Sequence, residues 1–141
     1  EPGDRALSGQ TDGGVPMVTI GPQGLSDAVR EVLEEYGDLA KEVTRDTVRK
    51  VAKTCRQEIR AASPRKTGRY AKSWRISETV SPNGDVAETV YNAAAPSLTH
   101  LLENGHAKVN GGRVEGKAHI APAERRAEAN LLDGLERELS L

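Results

Sequence analysis

Ser26–Ser63 reads SDAVREVLEEYGDLAKEVTRDTVRKVAKTCRQEIRAAS. Counting Leu25 just before it, apolar residues recur at Leu25, Val29, Leu33, Tyr36, Ala40, Val43, Val48, Val51, Cys55 and Ile59. Steps of three, four and five put them on one slowly drifting stripe of a helix. Ser26 suits the N-cap, and Asp27 suits the positive end of the helix dipole. Pro64 ends the run, because a proline disfavours helix in the residue before it. Gly37 marks a bend or a break into two helices. Unbroken, the helix would be roughly 50 Å long. A domain this small does not need that length, so the helix either bends back or reaches a neighbour.

Upstream, Glu1–Pro16 is rich in Gly, Asp, Ser and Pro, with few apolar side chains. We read it as a disordered extension or an expression scar, with a plausible chain start at Met17-Val18-Thr19-Ile20. Downstream, Pro64–Gly68 is a turn. Two short strands follow, about Lys72–Val80 and Val86–Asn92, joined by Ser81-Pro82-Asn83-Gly84-Asp85, whose Asn-Gly is a hairpin signal. Trp74, Ile76, Val86 and Val90, with Tyr91 beside them, form the expected sheet core. A short helix over Ser97–Asn104 has Ser97 as its cap and Gly105 as its stop. Gly105–Lys117 reads as a flexible glycine-rich loop, and His119–Ala121 as a last short strand. Pro122 suits the first turn of a final helix, which carries Ala123, Ala127, Leu131, Leu135 and Leu139 at steps of four. The fold class is α+β: a long N-terminal helix, a small antiparallel sheet with a hairpin, a short helix and a C-terminal helix. Residues 17–141 make one domain.

With 141 residues the chain suits one domain. It is 29% charged and 3% aromatic with no Phe, so its core must come from Val, Leu, Ile and Ala. Modest stability alone, raised by partner subunits, is the expectation. The net charge of −1 gives no global argument for nucleic acid or membrane. One cysteine excludes an internal disulfide and fits a reducing compartment. No apolar run approaches the roughly 20 residues of a membrane span. The expected location is the cytoplasm, unless an assembly carries the protein out.

The chemistry-bearing residues form no strong set. His100, His106, His119 and Glu103 could suggest a small metal-dependent hydrolase, but they lack the tight spacing of a zinc motif. Surface histidines beside a loop are the plainer reading. Cys55 sits on the apolar stripe, as a buried structural thiol would. The glycine-rich loop lacks the P-loop pattern. Catalytic, metal and cofactor residues are therefore assigned to none. The basic run Arg56, Arg60, Arg65, Lys66, Arg69, Lys72 and Arg75 is opposed only by Glu58, and could serve a small DNA-binding module.

Three blocks stand in order: Pro64-Arg65-Lys66-Thr67-Gly68-Arg69-Tyr70-Ala71-Lys72-Ser73, then Leu101-Leu102-Glu103-Asn104-Gly105-His106, then His119-Ile120-Ala121-Pro122-Ala123. Together they resemble a siphophage family of neck, tail-completion and minor tail proteins, to which lambda's tail-completion protein Z is distantly similar. The likeness spans about Val18–Leu141. Asn104 departs from it, since an apolar or aromatic residue is common there. The resemblance implies a non-enzymatic virion subunit in a ring, a hexamer by tail symmetry, around the path of DNA at the head–tail interface. A tail-terminator-type ring subunit is the close alternative. Implied partners are other copies of the chain, head-completion, tail-terminator or tail-tube proteins, and passing double-stranded DNA. Within that reading, Arg65, Lys66, Thr67, Arg69, His106, Lys108, Arg113 and Lys117 are candidate partner contacts, and Arg56 and Arg60 are candidate DNA-channel residues. Each neutralised phosphate adds about 0.9 to the salt slope of binding. A ring presenting the whole run would therefore grip DNA too hard to release it. Most of these cations should meet protein or solvent.

Overall fold

A computed structural model describes residues 11–12, 15–65, 68–94 and 98–141. Its elements run β1 (Thr11–Asp12), β2 (Val15–Pro16), β3 (Val18–Ile20), α1 (Asp27–Tyr36), α2 (Asp38–Ala62), α3 (Arg69–Lys72), β4 (Trp74–Val80), β5 (Val86–Asn92), α4 (Thr99–Asn104), β6 (Gly105–Ala107), β7 (Arg113–Glu115) and α5 (Ala121–Leu139). The fold is α+β, as the sequence predicts.

The predicted long helix breaks at Gly37, whose φ of 68° lies in the left-handed region that glycine tolerates. Ser26 caps α1 as expected, with its Oγ accepting from the Val29 N–H at 3.2 Å. Only the α2 part of the stripe is deeply covered. Val48, Val51, Ala52, Cys55 and Ile59 are buried, whereas Val29 and Leu33 are half-buried and Tyr36 is exposed. Burying each large aliphatic side chain contributes about 1.5–3 kcal/mol.

The sheet is antiparallel in the order β3-β5-β4. The hairpin register pairs Trp74 with Asn92 and Val80 with Val86. Along β5, Val86, Glu88, Val90 and Asn92 face the core. Tyr91, expected in that core, stands half-buried on the other face by the alternation of the strand. The outer strand β3 lies in the stretch read as a chain start; three residues are too few to show a period. Val18 and Ile20 of β3 are buried. Helix α2 lies across the sheet, and α5 packs along α2 through Ala123, Ala127, Leu131 and Leu135.

Two further expectations change, at the glycine-rich loop and at His119–Ala121, and the N-terminal stretch adds two short strands. Within the extension assigned to residues 1–16, β1 and β2 pair as a two-residue ribbon, and β2 runs beside α4. The predicted loop at Gly105–Lys117 contains a ribbon, pairing His106 with Val114 and Ala107 with Arg113. His119–Ala121 is not a strand, because Glu103 takes its N–H groups and turns it into the entry of α5. The expected cap Ser97 lies outside the described residues.

Candidate functional site

The three sequence blocks meet at one junction. Tyr70 comes from α3, Glu103 from α4, and His119 from the segment before α5. Helix α5 has no capping side chain of its own. Glu103 supplies the cap from a distance: Oε1 accepts from the N–H groups of His119 at 2.7 Å and Ile120 at 2.8 Å, and Oε2 from Ala121 at 3.0 Å. Pro122, next in line, has no N–H to satisfy. Burial works against the charge on Glu103. The hydrogen bonds from the His119 ring and from these backbone N–H groups outweigh it and hold the carboxyl at about 2.

His119 is buried, and its hydrogen bonds fix its tautomer. Nδ1 donates to the Lys117 carbonyl at 2.7 Å and lies 3.0 Å from Glu103 Oε1, while Nε2 accepts from the Tyr70 hydroxyl at 2.7 Å. Burial pushes the Tyr70 phenol up to about 12, so it stays a donor. Tyr70, Trp74 and His119 stack edge to face, with centroids 5.5–6.1 Å apart. Trp74 Nε1 donates to Ser63 Oγ at 2.9 Å, and that hydroxyl donates to the Ile59 carbonyl at 2.6 Å. Asn92 Nδ2 donates to the Tyr70 carbonyl at 2.8 Å. These groups hold one another and the backbone.

Gly105 closes the junction on the side of the ribbon. Its φ is 80°, and a Cβ there would lie 2.3 Å from the Val114 carbonyl oxygen. The Lys117 N–H donates to the Leu102 carbonyl at 2.9 Å, so both ends of the β6–β7 ribbon are tied to α4. From His106 to Glu115 every residue is exposed.

The predicted contact residues fall into two groups. His106, Lys108, Arg113 and Lys117 sit on or beside the ribbon and are exposed, with the Arg113 guanidinium bonded to the Asn104 carbonyl. Arg60, Arg65 and Arg69 are exposed around the end of α2 and the start of α3, and Arg65 Nη2 donates to the Arg60 carbonyl at 3.3 Å. Arg56 is half-buried and donates Nε to the Trp74 carbonyl at 2.8 Å. Lys66 and Thr67 lie outside the described residues. The pair Tyr70–His119 links the two groups through the junction. Sequence reasoning missed Glu103 as a cap; the block that contains it was visible, but its partners lie up to 18 residues away.

Among the described residues no group of three or more His, Cys, Asp and Glu could hold a metal ion. His100 and His106 are exposed and His119 is engaged as above. Cys55 is buried, and burial raises its thiol to about 12. An open groove of ≈ 350 Å³ between α1, α2 and the β4–β5 turn has a mixed lining, with Arg30, Lys41 and Arg45 facing Glu34, Asp38 and Asp85. No helix of the described residues is long and apolar enough to cross a membrane.

The polar groups of this junction cap and tie the chain's own elements. The model of the family described as "Bacteriophage HK97-gp10, putative tail-component" matches residues 27–105, a little over half the chain. The chain belongs to this HK97-gp10-like family. The matched span runs from the start of α1 to Gly105 and includes the first block and all but the last residue of the second. No curated protein and no solved structure matched the chain.

Proposed function

We propose that the chain is a non-enzymatic structural subunit of a tailed-phage virion, in a neck or tail-completion ring at the head–tail interface through which DNA passes. Membership of a phage tail-component family carries this reading. The order of the three blocks, which resembles that of neck and tail-completion proteins including lambda's protein Z, supports the finer position. A hexamer matches tail symmetry, and a ring needs contacts between unlike faces. The exposed β6–β7 ribbon and the cations around the end of α2 are suited to such contacts. Neighbours would be head-completion, tail-terminator or tail-tube proteins, with assembly in the host cytoplasm and residence in the virion. A tail-terminator-type ring subunit is the nearest alternative. A DNA-binding module is a second reading, favoured by Arg56, Arg60, Lys72 and Arg75, which form no ion pair among the described residues.

Deletion of the gene with complementation in trans tests the proposal. Filled heads and separate tails without the protein, and joined particles with it, are expected. Normal infectious particles from the deletion would reject a head–tail joining role.

A further inference from the structure

Helix α1 buries none of its residues. Its outer side carries Val32 and Tyr36 one turn apart, and Leu39 follows just past Gly37; they are 38%, 41% and 61% exposed. Carboxylates surround this apolar strip. Between Asp27 and Glu42 six acids stand against two cations, one of which, Arg30, is already paired with Asp27.

The far end of α2 has the opposite character. Arg56 Nε and Arg75 Nη1 both donate to the Trp74 carbonyl, at 2.8 and 3.1 Å, so two guanidinium groups converge on one neutral oxygen. Arg60 and Lys72 are exposed nearby in sequence. Glu58, the one acid in the run, is paired with Arg126 of α5 at 2.9 Å. Among the described residues none of Arg56, Arg60, Lys72 and Arg75 is ion-paired within the chain. Gathering like charges without an anion is unfavourable, and an external acidic surface relieves it.

We infer that the apolar, acidic outer face of α1 docks on the cationic end of α2 and α3 of a second copy of this chain. Leu39 and Arg60 stand near opposite ends of α2, about 32 Å apart along its axis, so one chain cannot join the two faces itself. Contact between unlike faces is head-to-tail and propagates from copy to copy. A DNA duplex would satisfy the cations but leave the apolar strip of α1 uncovered. One protein contact accounts for both faces. The inference rests on the proposed ring only for the closure of this contact into a ring.

Sedimentation of the full chain at ~50 mM and ~500 mM salt tests it. The wild-type chain should associate with concentration at low salt and weaken at high salt. E31K/E35K reverses the acidic face, and R60E/K72E reverses the cationic end. Each variant alone should lose about tenfold or more in association at low salt. An equimolar mixture should associate again, because each restored contact is between opposite charges. V32S/Y36S should lose association at both salt concentrations. Thermal melts by circular dichroism confirm that the variants fold. Wild-type association that neither charge variant alters overturns this interface and leaves the ring standing. A mixture that stays monomeric also overturns it. So does a wild-type chain that stays monomeric while binding duplex DNA through Arg60 and Lys72, which would favour a nucleic-acid face.

Discussion

With three backbone N–H groups and the His119 ring converging on it, the Glu103 carboxylate stays ionised in the folded chain far below the pH at which an unfolded chain protonates it. A lowered folded-state value contributes stability that is complete above the ordinary 4.5 and is lost as pH falls towards about 2. Glu103→Ala leaves those N–H groups unsatisfied and should cost about 2–3 kcal/mol at neutral pH, read as a lower denaturant midpoint. Glu88 works in the opposite sense. Burial, then the hydrogen bond to Glu78 and the charge of Glu78, raise it to about 7. Its Oε2 is buried without a partner, which also favours the protonated form. A raised carboxyl contributes stability at low pH and loses it as pH rises from 4.5 through 7. The two together place maximal stability near about pH 5. Glu88→Gln should flatten the decline above that pH and raise Tm at pH 8 while leaving it unchanged at pH 5. An unaltered slope of Tm between pH 5 and 8 in this variant would remove Glu88 from the account. At Cys55, buried and shifted up, the thiol should ignore a thiol reagent until the chain unfolds. Labelling in the native state at the rate of a free thiol would contradict that burial.

Among the elements, α5 packs closely on α2 at Gly134, where a Cβ would lie 2.8 Å from Thr47 Cγ2. Alanine usually stabilises a helix interior relative to glycine by about 0.8–1 kcal/mol. Thr47 gives little room, because its Oγ1 donates to the Val43 carbonyl at 2.8 Å. Gly134→Ala should therefore lose about 1 kcal/mol net by overpacking. Adding Thr47→Ala should recover it, and a stabilised single variant would show that the helices can separate without cost. The same elements show what the sequence reveals and why. The stripe from Ser26 to Ser63 is long enough for its period and breaker to be read, and it yields α1, the break at Gly37 and α2. The Asn83-Gly84 turn likewise yields the β4–β5 hairpin. Strand β3 is too short to alternate visibly, and it exists because β5 offers it an edge. The entry to α5 is misread as a strand because His119-Ile120-Ala121 looks β-like locally, and only a carboxylate on α4 makes it a helix start. The three blocks were legible as an ordered set. Their meeting through Tyr70, Glu103 and His119 was not, because no local pattern encodes a contact across 49 residues.

At the scale of the molecule, the core is one layer of sheet under α2 with α5 alongside. The β6–β7 ribbon projects from the junction, α1 presents an uncovered acidic and apolar face, and the end of α2 gathers cations. Deleting Gly111 and Gly112 from the ribbon turn should leave the melting curve of the isolated chain nearly unchanged while impairing head–tail joining in complementation. Normal joining with the shortened ribbon would take the ribbon out of the interface. A cryo-EM map of the intact virion neck tests the proposed place at the head–tail interface. A ring of this fold between head and tail, around the DNA path, is expected, with most of the Arg56–Arg75 cations turned to protein or solvent. A map whose neck is fully occupied by other folds, or that shows the whole cation cluster facing the channel, would contradict it.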